Sequence, residues 1–154
     1  MARRRSARGP ARGFETKRIY DAPERADGYR VLIDRLWPRG ISKERASLDA
    51  WLTELAPSTA LRTWFHRDLK RRPEFARRYR AELRAQSPLL QTLRRRARRQ
   101  RVTLLYAARD ARVNHAIVLR AVLQRAPRNA ARRAVGRTPS GTRRRAPLRV
   151  RSRP

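Results

Sequence analysis

Two short strings hold the residues best able to do chemistry. The first, Asp34-Arg35-Leu36-Trp37-Pro38-Arg39-Gly40, joins a carboxylate, two guanidinium groups and an indole within seven positions. The second runs Arg109-Asp110-Ala111-Arg112-Val113-Asn114-His115. Arg35, Arg39 and Arg109 offer planar donor forks suited to phosphate or carboxylate, and Trp37 offers a flat face for a base or a cation. With Asn114 they form a candidate ligand-binding set. Asp34 and Asp110 are candidate general bases, or else they hold the arginines still; for a strand-end carboxylate beside arginines the ion pair is the commoner role. His115 is a candidate proton donor or phosphate ligand, or a hydrogen-bonded residue one layer behind. Trp37 can equally be packed under its loop.

Other chemistries are excluded or left without support. The chain has no cysteine, so thiolate nucleophiles, disulfides and cysteine metal sites are ruled out. His66 and His115 stand far apart with no carboxylate cluster at ligand spacing, so no metal site is expected. There is no glycine-rich phosphate loop and no nucleophile elbow. The cofactor, and whether catalysis occurs at all, stay undefined.

The elements around the two strings bring them together. Val31-Leu32-Ile33 is an unbroken branched apolar row that suits a strand covered on both faces, with Asp34 and Arg35 where it emerges. Pro38 and Gly40 then force a turn. Val102 to Ala107 is a second continuously apolar strand, and it ends in Ala108-Arg109-Asp110. Helical patterns separate the two, so the connection is a crossover and the strands should be parallel, with their C-terminal ends on one edge. Open α/β sheets bind ligands at that edge.

Between the strands, Ser42 should cap a helix with Leu48, Trp51, Leu52 and Leu55 on one stripe, ending at Ala56-Pro57. Ser58 caps another, with Leu61, Trp64 and Phe65 inward. Pro73 opens a third helix through Phe75, Tyr79 and Leu83, and Ser87-Pro88 a fourth through Leu89, Leu90, Leu93 and Ala97. A last helix is expected from about Val113 to Gln124. Thr16 to Tyr20 is a further short strand. If it neighbours the Val31 strand, its eight-residue loop favours an antiparallel hairpin, but the orientation stays open. The expected fold is α/β: a small Rossmann-like sheet, largely parallel, of about three strands with flanking helices.

Lys17-Arg18-Ile19-Tyr20-Asp21, Gly28-Tyr29-Arg30 and Asp34-Arg35-Leu36-Trp37-Pro38-Arg39-Gly40 resemble the YeaO-like bacterial proteins, domain-of-unknown-function family 488. The resemblance runs from about Thr16 to about Gln124 and implies no defined activity. Wider relatives end the last strand with a cysteine and open the last helix with Cys-His-Arg. Here Tyr106 and Asn114-His115-Ala116 stand at those places, so the resemblance carries over only the histidine. The family's usual Trp-Phe-Gly-His-Asp is Trp64-Phe65-His66-Arg67-Asp68 in this chain, which displaces that histidine by one.

Charge sets the partner class. The 154 residues carry a formal net charge of +30, with five arginines and no acid in residues 1–13 and ten arginines and no acid in residues 127–154. Residues 1–13 and 127–154 read as disordered basic arms flanking a domain over 14–126. Such a chain attracts polyanions through counterion release, so an anionic ligand or nucleic acid, bound nonspecifically and in a salt-dependent way, is the expected partner. The arginines of Arg94, Arg95, Arg96, Arg98, Arg99 and Arg101 make one helix flank intensely positive, either as a solvated face or as a landing strip for phosphates. Coding-sequence drift toward arginine and selected nucleic-acid binding both explain the tails. No apolar run is long enough to span a bilayer and no signal-peptide core follows the N-terminal arginines, so the expected location is cytoplasmic. Oligomeric state is not legible. Two functional readings follow: an arginine-lined pocket for a phosphorylated, nucleotide-like or nucleic-acid ligand, or a nucleic-acid-associated or regulatory protein acting through its basic surface and tails without catalysis.

Overall fold

A computed structural model describes residues 11–125. The two basic arms read from the sequence fall almost wholly outside the described residues.

Four parallel strands form one sheet in the order β1-β4-β2-β3: β1 (Gly13–Arg18), β2 (Tyr29–Leu32), β3 (Ala50–Trp51) and β4 (Arg101–Tyr106). Five α-helices accompany them: α1 (Lys43–Ala46), α2 (Thr59–His66), α3 (Arg72–Arg84), α4 (Ser87–Ala97) and α5 (His115–Gln124). The α/β class is as expected, with one strand more. β1 and β2 are not neighbours: both lie parallel to β4, which separates them, so the hairpin alternative does not apply. The link from Ile19 to Gly28 crosses the start of β4 without an α-helix. A turn at Arg25–Asp27 closes it, and the Thr103 hydroxyl donates to Asp27 O at 2.6 Å.

Alternation along the strands splits the core in two. Val31, Ile33, Val102 and Leu104 face a large cluster with Phe65, Phe75, Tyr79, Leu83, Leu93 and Leu119 from α2 to α5. Leu32 and Leu105 face the other side, where Ile19, Ile41 and Ala46 cover them, aided by Trp37 and Leu48. Helices therefore blanket one face. On the other, the Asp34–Leu48 segment takes their place.

One expected helix is absent. Ser42 does cap α1, its hydroxyl accepting from Arg45 N at 3.1 Å, but that helix is four residues long and stops at Ser47, whose φ is 47°. The stripe of Leu48, Trp51, Leu52 and Leu55 is instead distributed over a loop, edge strand β3 and a turn at Thr53–Leu55. The reason is tertiary. The Arg30 guanidinium donates to Ala46 O at 2.9 Å and to Ser47 O at 3.1 Å, satisfying the last carbonyls of α1. Arg30 N donates to the Asp49 carboxylate at 2.8 Å and Asp49 N returns to Arg30 O at 2.9 Å, which draws the chain into the sheet.

Arg30 is itself only 4% exposed, and its charge is met by Asp27, which Lys17 also approaches at 3.1 Å. Burial pushes the Asp27 carboxyl up. Hydrogen bonds from Glu24 N, Lys17 and Arg30 outweigh it, so the group sits below the usual aspartate range.

Candidate functional site

The two strings meet. β2 and β4 end side by side, with Ile33 N donating to Leu105 O at 3.1 Å, so Asp34 emerges beside Ala107. Ala107 N donates to Asp34 Oδ2 at 2.8 Å, and His115 Nε2 lies 2.9 Å from Asp34 Oδ1. The same nitrogen lies 3.0 Å from Ile33 O. A carbonyl can only accept, so Nε2 carries the hydrogen. His115 opens α5 because Asn114 caps that helix: its side-chain oxygen accepts from Ile117 N at 3.2 Å while its amide donates to Asp110 O at 2.8 Å. Tyr79 stands edge-on to the imidazole at 6.3 Å, fully buried, its hydroxyl donating to Leu55 O. Burial, with the Glu82 and Asp34 carboxylates adding to it, pushes that hydroxyl well above the ordinary tyrosine range.

Each candidate from the sequence has a definite place. Asp110 accepts from Arg112 N at 2.8 Å and Val113 N at 3.1 Å, which closes its own turn. Arg35 does not point to a ligand space: Nε donates to Pro57 O at 3.2 Å and a terminal nitrogen to Ala56 O at 3.4 Å. Trp37 is packed under its loop, donating to Ile41 O at 2.8 Å and meeting Trp51 edge to face at 5.4 Å. Trp51 in turn donates to Asp34 O at 2.7 Å. Arg39 and Arg109 are exposed. His66 ends α2, exposed to solvent. No cluster of three metal-ligating side chains occurs among the described residues.

Two rim residues escaped the sequence reading. Arg18 stacks over Tyr20 at 5.0 Å and donates to Ala108 O at 3.0 Å, while Tyr20 donates to Arg39 O at 2.9 Å. They connect the ends of β1 and β4 with the turn before Gly40. Their signal lay in the Lys17–Asp21 string, whose arginine and tyrosine stand at the end of the first strand. Tyr106 ends β4 buried; burial first, then the Asp21 charge, pushes its hydroxyl up.

A second charged feature lies at the opposite end of the sheet. A surface cavity of about 510 Å³ is lined by Thr92, Arg95, Arg96, Arg98, Arg99 and Gln100, on the last turns of α4 and the link to β4. Arg96 is stacked over the Tyr29 ring at 3.9 Å. None of the ion pairs among the described residues uses an arginine between 94 and 101.

Comparison with known proteins agrees with the motif strings. The family model described as "Inactive DUF488-N3 subclade" matches residues 13–141. The chain belongs to the YeaO-like DUF488 family. It is 46% identical over 106 residues to the uncharacterized protein YeaO of Escherichia coli strain K12, a match covering 69% of this chain and 92% of that one. It is 42% identical over 106 residues to uncharacterized proteins of Mycobacterium bovis and Mycobacterium tuberculosis, covering 69% of this chain and 89% of theirs. No solved structure matches it. For this DUF488 member the rim is a hydrogen-bonded joint as well as a candidate site, because Asp34, Asp110, Asn114 and His115 each hold the fold together.

Proposed function

We propose that this DUF488 protein is a non-catalytic, nucleic-acid-associated protein that holds phosphate backbones on the arginine face of α4. The observation carrying this is the α4 cavity: four arginines line it, and no carboxylate among the described residues pairs with them. Unpaired guanidinium groups on one helix flank repel each other unless anions lie among them. The rim contrasts with this. Its arginine nearest the strand end, Arg35, is spent on two carbonyls, and the His115 Nε2 hydrogen is held between two acceptors. The description of the matched family model as inactive, and the absence of cysteine from the chain, support the non-catalytic half of the reading. No helix among the described residues is long and apolar enough to cross a membrane.

A test sets the two ends of the molecule against each other. Duplex DNA affinity is measured for the full chain, for R95Q/R98Q/R99Q and for R39Q/R109Q. The reading requires the α4 variant to bind at least tenfold more weakly than the rim variant; equal affinities would refute it.

A second reading keeps a small phosphorylated or nucleotide-like ligand at the rim. It rests on the Arg18–Tyr20 bridge, which places exposed Arg39 on the same connected edge as Ala108 and Arg109. It requires R39Q/R109Q to abolish nucleotide binding, and is rejected if nucleotide affinity is unchanged.

A further inference from the structure

One arginine of the cavity at the end of α4 has an aromatic ring behind it. Tyr29 opens β2 in register with Val102 of β4 and packs against the larger core cluster, so its ring is fixed to the sheet. Arg96, in the last turn of α4, lies over that ring at 3.9 Å, yet it is exposed and lines the cavity. Its guanidinium is thus backed on one side by the ring and reachable from the cavity. Arg95 is also held: a terminal nitrogen donates to the Thr92 hydroxyl at 3.2 Å, and that hydroxyl donates to Pro88 O at 3.0 Å. Beyond the helix, Arg99 N and Gln100 N donate to Arg96 O at 2.9 and 3.1 Å. That turn brings Arg98, Arg99 and Gln100 round the same space.

Resting on the proposed function, we infer that this cavity takes an unpaired nucleotide of a single-stranded nucleic acid, its base stacked on Arg96 and its phosphates on the neighbouring arginines. The shape favours this. A hollow of about 510 Å³ falls within the roughly 300–1,000 Å³ of small-ligand pockets. A duplex can lay phosphates across such a hollow but keeps its bases stacked inside, whereas a splayed nucleotide can put its base in. The chemistry agrees with the shape. Guanidinium planes stack on unstacked bases, which an ammonium point charge does not do. Gln100 adds a side-chain amide that both donates and accepts, as a base edge requires. Because Tyr29 and Thr92 already hold Arg96 and Arg95, little side-chain freedom is lost on binding. One stacked base raises affinity by about 5- to 150-fold, independently of the phosphates.

The experiment uses the full chain and three probes: a single-stranded deoxyoligonucleotide of about 12 nucleotides, the same backbone with abasic sugars throughout, and the corresponding duplex. The variants are R96K, which keeps the charge and removes the plane, and R95Q/R98Q/R99Q; circular dichroism checks that each is folded. The parent should bind the base-bearing strand at least about fivefold more tightly than the abasic one. R96K should lose that difference while its affinities for the abasic strand and the duplex stay within about twofold of the parent's. Equal binding of the two strands by the parent, an undiminished difference in R96K, or an equal fall on all three probes would each overturn the inference. If the base effect is missing but R95Q/R98Q/R99Q binds the abasic strand at least about tenfold more weakly, the inference falls and the proposed function stands. If that variant binds the abasic strand like the parent, both fall.

Discussion

His115 Nε2 lies 2.9 Å from Asp34 Oδ1, which ties the first turn of α5 to the end of β2 across the mouth of the sheet. Both side chains are 14% exposed. The contact is at once the centre of the candidate site and a fastening between two elements distant in sequence.

A double-mutant cycle separates those roles. H115A should destabilise the protein by about 1–3 kcal/mol by leaving Ile33 O and Asp34 with an unmet acceptor, and D34A by a similar amount by orphaning Ala107 N. The coupling between them, read by denaturant unfolding, should be at least about 0.5 kcal/mol. Strict additivity would mean that the contact holds nothing together.

The buried pair under the sheet should matter more. Removing the carboxylate, as in D27N, leaves the Arg30 charge uncompensated at a nearly closed site and should cost about 3–5 kcal/mol. The pH dependence has a defined sign. Asp27 is depressed in the folded state, so its contribution is fully present above its unfolded value of about 3.9 and is lost as pH falls through its lower folded value. The acid limb of a stability profile should therefore be shallower in D27N than in the parent. An identical limb would show that Asp27 is not the titrating group.

Two glycines with positive φ should respond differently. Gly28 has φ of +64°, and a Cβ there would sit 2.3 Å from the backbone oxygen of Arg101. Gly40 has φ of +74° and open space around it. G40A should cost about 1–2 kcal/mol, the left-handed penalty alone. G28A adds a backbone clash that separates β2 from β4, so its melting temperature should fall clearly below that of G40A. Equal melting temperatures would contradict the close approach.

Much of this molecule was legible because its signals are local. Phe75, Tyr79 and Leu83 at spacing four, and Leu90, Leu93 and Ala97 after Ser87-Pro88, announced α3 and α4 without help from the rest of the chain. The meeting of Asp34 with His115 followed from two apolar strands separated by helices, which topology makes parallel. What misled was long-range. Leu48, Trp51, Leu52 and Leu55 have helical spacing, yet Arg30 and the Asp34 carbonyl claim that segment's polar groups and turn it into β3. No periodicity could show that Arg35 would be spent on Ala56 and Pro57, or that Arg18 would lie over Tyr20 at the rim.

The salt dependence of duplex binding tests the central claim most directly. For the full chain, the logarithm of affinity should fall linearly with the logarithm of salt concentration, and R95Q/R98Q/R99Q should flatten the slope by about 2–3, close to 0.9 per phosphate contact removed. A slope in that variant identical to the parent's would contradict the assignment of phosphate binding to the α4 face.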